Sequence, residues 1–223
     1  MNGRMAGPAL FGIIGCLILV SLGAWQLRRL EWKEALLGAI ETRIGAAPVD
    51  LSAATAPGTA ANYLAVKAEG RLGAAELHVL SSRGGPGFRV IRALTTPEGK
   101  VLVDLGFRPE RMRAAPPEPA YMKVEGNIQF PNETDGFTPP PDRVNEIWFA
   151  RDVEAMAEAL GTRPLLIVAR SATPQVADVT PWPVNTAGIP NNHLNYAITW
   201  FLLALAWLGM TGLWLWRIRR RTD

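Results

Sequence analysis

His193 and Trp200 stand seven residues apart, a spacing that on a helix returns to within about 20° of the same face. Tyr196, Ala197 and Ala204 fall on that face as well. The stripe therefore carries an imidazole at one end, small residues beside it and an indole about 10 Å further along the helix axis. A flat, hydrophobic ligand with a polar rim suits such a surface. Haem is one: its iron takes a neutral imidazole, and its propionates seek cations. His193 would sit in the first turn of its helix, where exposed backbone N–H groups oppose an imidazolium. Arg28 and Arg29 would supply cations at the same level. Each residue also has a plainer role. His193 can hydrogen-bond among lipid headgroups, and Trp200 can be ordinary helix packing. Arg28 and Arg29 can pair with Glu31 and Glu34 or with lipid phosphates. On the residues alone both sets of roles stay open, and with only two histidines in the chain the placement of this one carries weight.

The elements that must position these residues are two apolar runs. Leu194 to Trp216 is 23 residues without a charged side chain, roughly 34 Å as a helix, enough to cross a hydrocarbon core of about 30 Å. Pro190 precedes it, and Asn191 or Asn192 can cap it. Met5 to Leu27 is a second uncharged run of 23 residues, bounded by Arg4 and by Arg28-Arg29. A cleaved signal peptide competes for this segment, and Ile13-Ile14-Gly15-Cys16 loosely resembles a lipoprotein box. The apolar stretch continues well past Cys16, and Leu22 stands where a small residue is wanted before Ala24, so an uncleaved anchor is expected. Arg217, Arg219, Arg220 and Arg221 follow the second run and place that end in the cytoplasm. Two spans then put the N-terminus there too. The expected division is a tail over 1–4, a span over 5–27, an extracytoplasmic domain over 28–190, a span over 191–216 and a basic tail over 217–223. Arg28, Arg29 and Lys33 lie on the wrong side for the charge rule, which invites a functional explanation.

Composition bounds the rest. The net charge of +3 comes mostly from the C-terminal arginines, and no basic stripe remains for nucleic acid. Cys16 is the sole cysteine and lies inside the first run, which excludes disulfides and CxxC chemistry. Trp32, Leu36, Leu37, Ile40 and Ile44 continue the first helix along one side. Residues 46–61 read as a loop. Strand signals follow at Tyr63–Gly70, Leu77–Leu80, Phe88–Leu94, Lys100–Phe107, Tyr121–Phe130 and Leu165–Ala169. Turns at Gly84-Gly85-Pro86-Gly87 and Pro97-Glu98-Gly99 separate some of them. Asp152 caps a helix over Val153–Leu160, with Gly161 beyond its end. Proline-rich stretches at 109–119, 131–141 and 174–190 are loops. The fold class is membrane α + β: two transmembrane helices flanking one small, mostly antiparallel β extracytoplasmic domain with a short helix.

No phosphate-binding glycine motif and no serine elbow occurs. Asp and Glu stand singly, without an obvious pair for acid–base work. His78 has no partner at ligand spacing and reads as an ordinary strand residue. Asn132-Glu133-Thr134 matches a glycosylation sequon by chance if the source is bacterial. A classical enzyme is not expected.

Four segments are similar to the Surfeit-locus (Shy-type) family of cytochrome c oxidase assembly factors. Leu22-Gly23-Ala24-Trp25-Gln26-Leu27-Arg28-Arg29 with Trp32-Lys33 resembles the end of the family's first span. Gly85-Pro86-Gly87-Phe88 with Val101 to Phe107 resembles its central strands, although Leu105-Gly106-Phe107 stands where the family usually has Arg-Gly-Trp. Trp148-Phe149-Ala150-Arg151-Asp152 resembles its W-x-x-R-D segment. Asn191 to Phe201 is very similar to its second-span signature. The resemblance runs from about residue 20 to 215. It implies a chaperone-like protein that binds haem a and helps deliver or insert it into subunit I of cytochrome c oxidase. His193 is implied as axial ligand to the haem iron, with Trp200 in the pocket; the stripe itself adds Tyr196, and the surface cations Arg28 and Arg29 as propionate partners, to the expected haem-binding residues. Haem a synthase, subunit I and membrane lipid are the implied partners. With no presequence ahead of the first run, the bacterial inner membrane is expected, with the central domain periplasmic. The alternative is an assembly scaffold that stabilises nascent subunit I and binds no haem. A third possibility, a membrane-anchored sensor, has little room for an output domain.

Overall fold

A computed structural model of the chain describes residues 3–54, 58–81, 85–112 and 121–220. Arg221, Gly84, the Arg4 side chain and most of the 109–119 stretch lie outside the described residues. The chain divides into two compact units, residues 1–39 with 186–223 and residues 40–185.

The first unit is built on helices α1 (Gly3–Gly45) and α3 (His193–Arg220), 43 and 28 residues long. Both are long and apolar enough to cross a membrane. α1 continues without a break beyond its apolar run, as the spacing of Leu37, Ile40 and Ile44 requires. Its end is fixed within the second unit: the Ile44 carbonyl accepts hydrogen bonds from Asn127 Nδ2 at 3.1 Å and Arg170 Nη1 at 3.2 Å. A cation on a C-terminal carbonyl also complements the helix dipole.

The second unit holds strands β1 (Val49–Asp50), β2 (Ala65–Ser81), β3 (Gly87–Thr96), β4 (Gly99–Pro109), β5 (Tyr121–Gln129), β6 (Ile147–Trp148) and β7 (Leu166–Thr173). Helix α2 (Val153–Leu160) precedes β7. Residues 46–61, expected as a loop, contain β1 and two turns of 3₁₀ helix. Tyr63–Gly70 and Leu77–Leu80, expected as two strands, belong to the single strand β2. Its 17 residues are interrupted by a bulge between Leu72 and Glu76. The continuity has a topological purpose. The first half of β2 pairs with β5, from Ala65↔Asn127 to Arg71↔Tyr121. Its second half pairs with β3, from Arg71↔Thr95 to Ser81↔Gly87. With β3–β4, β4–β7 and β7–β5 also paired, the ring β2–β3–β4–β7–β5 closes on itself. The antiparallel sheet is thus a closed barrel, which removes the edges an open sheet would expose. Its β4–β7 seam is parallel, and α2 lies in the connection that brings β7 back beside β4.

Closure sorts the side chains into two cores. Val66, Leu72, Val90, Leu94, Val103, Val124 and Ile167 face inward and pack together. Ile91, Leu102, Leu166 and Val168 face outward and pack against Val153, Met156 and Ala157 of α2. α2 begins where expected: Asp152 Oδ1 accepts from Ala155 N–H at 3.0 Å, and Gly161 ends the helix at φ 62°. At Gly106 the backbone adopts φ 122°, and a Cβ there would collide with the Thr180 carbonyl that pairs with Phe107. The Leu105-Gly106-Phe107 turn of β4 therefore admits only glycine at its centre.

Charges that stand singly along the chain are gathered by the barrel. Glu76, His78, Arg92 and Arg108 are all buried. Arg108 donates to both Glu76 oxygens at 2.6 and 3.2 Å. Arg92 Nη1 lies 3.8 Å from Glu76, while Arg92 also donates to the Gly73 carbonyl exposed by the bulge. His78 Nε2 stands 3.3 Å from Glu76, with its ring edge-on to Phe88. Burial pushes the Glu76 carboxyl upward, but His78, Arg108 and Arg92 together outweigh it and bring its pKa down to about 2. A second group forms on the α2 side. Asp104 is fully buried, paired with Arg89 at 2.6 Å, and accepts from Gly106 N–H at 3.1 Å. Burial raises its pKa against the pull of Arg89 and Arg151. Arg151 in turn bonds Glu133 and Gln129. The Trp148–Asp152 segment is therefore architectural: Trp148 is buried, Arg151 joins the ion pairs and Asp152 caps α2.

Removing one partner of such a group leaves the others buried and uncompensated. Glu76→Gln should cost roughly 3–5 kcal/mol of barrel stability, read as a lowered denaturation midpoint of the full chain in detergent. Because the Glu76 pKa falls on folding, its contribution is present above the ordinary value of 4.5 and is lost as pH drops toward about 2. The wild type should lose this increment on acidification below pH 4.5, and Glu76→Gln should not.

Candidate functional site

The first turn of α3 begins at His193. Asn192 occupies the position before it, and its carbonyl accepts from Tyr196 N–H at 3.2 Å. The helix thus starts where the sequence places it, with the Asn192 backbone carbonyl taking its first hydrogen bond. From His193, residues 197, 200, 204, 207 and 211 recur within about 40° of one direction, a single long stripe. α1 presents a matching stripe of Gly12, Gly15, Gly23 and Gln26.

These two stripes meet, with the helices antiparallel. A Cβ at Gly12 would strike Thr211, one at Gly15 would strike Trp207, and one at Gly23 would strike Phe201. Glycine at these places lets the backbones approach closely, the usual device of helix pairs in an apolar medium. Trp207 Nε1 donates to the Gly12 carbonyl at 3.1 Å, and its ring packs on Phe11 with centroids 5.2 Å apart. Ala197 and Ala204, which sequence alone sets beside a ligand, are 1% and 4% exposed and belong to this seam. The small residues of the stripe serve helix packing first.

At the seam's end, His193 Nδ1 lies 2.8 Å from Gln26 Oε1. The amide oxygen can only accept, so this contact is a hydrogen bond in the tautomer that carries its proton on Nδ1 and leaves Nε2 toward the ring's open side. Gln26 is the residue that sequence reasoning passed over. The signal was present, since it is the one amide in the first apolar run, but nothing local says which residue 167 positions away will meet it.

The other expected residues distribute as follows. Trp200 is half-buried on the His193 side of α3. Tyr196 is 57% exposed and turns away from the seam. Arg29 lies three residues beyond Gln26, on a neighbouring face of α1, and its guanidinium sits 4.2 Å from the centroid of the Trp32 ring. Arg28 is exposed and two residues from Gln26, which puts it on the far side of the helix. The structure therefore brings His193 and Gln26 into contact, keeps Trp200 along the same stripe, and separates Arg28 from both. Among the described residues no three His, Cys, Asp or Glu side chains converge on a point that could hold a bare metal ion. His78, the other histidine, is enclosed in the barrel beside Glu76.

Comparison with known proteins gives one consistent answer. The model of the SURF1 family matches residues 13–205. Surfeit locus protein 1 of Xenopus tropicalis is 28% identical over 87% of this chain and 70% of its own length. Surfeit locus protein 1 of Homo sapiens is 27% identical over 83% of this chain and 70% of its own. A SURF1-like protein of Rickettsia felis is 27% identical over 85% and 88%. The matched span contains Gln26, His193, Trp200 and the whole barrel.

The interhelix hydrogen bond far from His193 gives a direct test of the seam. Trp207→Phe keeps the ring stack and removes the donor to Gly12. It should lower the stability of the helix pair by about 1 kcal/mol, read as a shifted midpoint in a detergent denaturation series.

Proposed function

This chain belongs to the SURF1 family, and from that premise we propose that it is an assembly factor for cytochrome c oxidase that binds haem a and assists its delivery or insertion into subunit I. The observation that carries the haem-binding part is the contact of His193 Nδ1 with Gln26 Oε1 at 2.8 Å. An imidazole whose Nδ1 is already engaged offers Nε2 as a neutral, oriented ligand at the end of an apolar helix pair. A lone histidine does not suffice for a bare metal ion, which wants three or four protein ligands. It does suffice for iron inside a porphyrin, because the macrocycle brings four nitrogens of its own. The donor set thus fits haem and not a free cation.

In this proposal haem a is cargo. His193 Nε2 holds its iron, Trp200 and Tyr196 offer aromatic surface on the adjoining faces of α3, and Arg29 is the better placed of the two arginines to meet a propionate. Arg28, on the opposite face of α1, suits lipid phosphate. The two apolar helices cross a bacterial inner membrane over residues 5–27 and 191–216. The domain over 28–190 then lies in the periplasm, and the tails over 1–4 and 217–223 in the cytoplasm. The arginines after the second run support that orientation. Haem a synthase is the donor and subunit I the acceptor. The chain acts by binding and transfer, without catalysing a reaction.

The test is the absorption spectrum of the full chain purified from cells that make haem a, wild type beside His193→Ala. A haem a spectrum in the wild type that disappears in His193→Ala is expected. Absence of haem from both samples would overturn the carrier role and leave a scaffold for nascent subunit I. Haem retained by His193→Ala would move the ligand elsewhere, with His78 the remaining histidine.

A further inference from the structure

The contact between the helices does more than close the seam. We propose that Gln26 is the positioning residue for His193: from the opposite helix it selects the imidazole tautomer and fixes the ring's direction, so that the ligand site requires both helices. This inference rests on the carrier role proposed above for its consequence in haem binding, but its structural half stands on the apo-protein alone.

Three observations lead to it. First, the partner of Nδ1 is a side chain on the other helix, at 2.8 Å, and not a carbonyl of α3 itself. The ring's orientation is therefore a tertiary property. A histidine in the first turn of a helix otherwise keeps both ring nitrogens available to water or headgroups. Second, Gln26 ends an apolar run in which an unpartnered amide is costly. Its side chain has a reason to hold the imidazole as firmly as the imidazole has to hold it. Third, the partner is neutral. A carboxylate at this place would favour imidazolium before ligation and strengthen the nitrogen's donation after it. A carbonyl oxygen orients the ring without a charge. That yields a ligand with the right lone pair and moderate donor strength, which suits a protein that must give its cargo up.

In solution the neutral imidazole of histidine favours the proton on Nε2. Gln26 must therefore reverse the ring's own preference, and the reversal is what a spectrum can see. It also separates positioning from simple packing. Trp207 and Gly12 form an interhelix hydrogen bond on the same seam without touching His193. Loosening the pair there should leave the tautomer as it is.

The experiment is nitrogen NMR of the full-length apo-protein in detergent micelles, labelled with 15N only in histidine. The chain has two histidines, so loss of one signal set in His193→Ala assigns the other. Wild type should show His193 protonated at Nδ1 and bare at Nε2. Gln26→Leu should move the signal to the Nε2–H pattern or to an average of the two, and Trp207→Phe should match the wild type. A wild-type His193 protonated at Nε2 would overturn the proposal without any variant, and so would a Gln26→Leu protein with the wild-type pattern. The same samples, titrated with haem a and followed by absorption, should show Gln26→Leu binding roughly 10–100-fold more weakly than wild type. Equal affinity in both would also overturn it. A wild type that binds no haem would sink the carrier role, while the nitrogen spectrum would still decide whether Gln26 sets the tautomer.

Discussion

A polar group in an apolar medium has no water to turn to. It is either bonded to protein or it costs several kcal/mol. The helix pair, long and apolar enough to cross a membrane, bonds polar groups of its own to protein. Trp207 gives its indole proton to the Gly12 carbonyl, Thr199 gives its hydroxyl proton to the Asn195 carbonyl one turn earlier, and His193 and Gln26 satisfy each other. Two of these bonds join the helices, and both need the backbones close. The glycines at 12, 15 and 23 permit that closeness, and Ala197 and Ala204 continue it on the other side. The chemistry available at His193 is thus a by-product of how a helix pair satisfies its polar groups.

The barrel obeys the same rule in a different setting. Its interior holds a carboxylate, two guanidinium groups and an imidazole within one layer, and each is close to full burial. Glu76 is ionised there because three neighbours favour its charge more than burial opposes it. Asp104, on the outer side of β4, is held by Arg89 and by a backbone N–H that the unusual turn at Gly106 aims at it. Groups of this kind add little net stability over a well-packed apolar core, but they punish any arrangement that separates them. They favour one register of β2 against β3, since a slip of one residue would turn Glu76 and Arg92 to opposite faces.

The segments that resemble the family divide between these two tasks. The Trp148–Asp152 stretch is spent on architecture, through a buried indole, an ion pair and a helix cap. The Asn191–Phe201 stretch starts α3, supplies the seam and carries the imidazole. The Trp25-Gln26 stretch, which in one dimension looks like the end of a span, supplies the imidazole's partner. A motif's chemistry cannot be ranked from its residue types alone, because Arg151 and Arg29 are equally good cations on paper and only one of them is enclosed in an ion pair.

What the sequence by itself determined is local. Uncharged runs of helical length, a proline with two asparagines before His193, an Asp cap and a left-handed glycine around α2, and alternation along the strands all act within a few residues. They fix the two apolar helices, α2 and most strand positions, and the resemblance adds the family. The tertiary structure decided everything that depends on distant residues meeting. It joined two strand signals into one β2, because a barrel closes only if one strand can pair with β5 at one end and β3 at the other. It drew solitary charges into two buried groups. It also chose what faces Nδ1 of His193, since that residue, Gln26, lies on another helix.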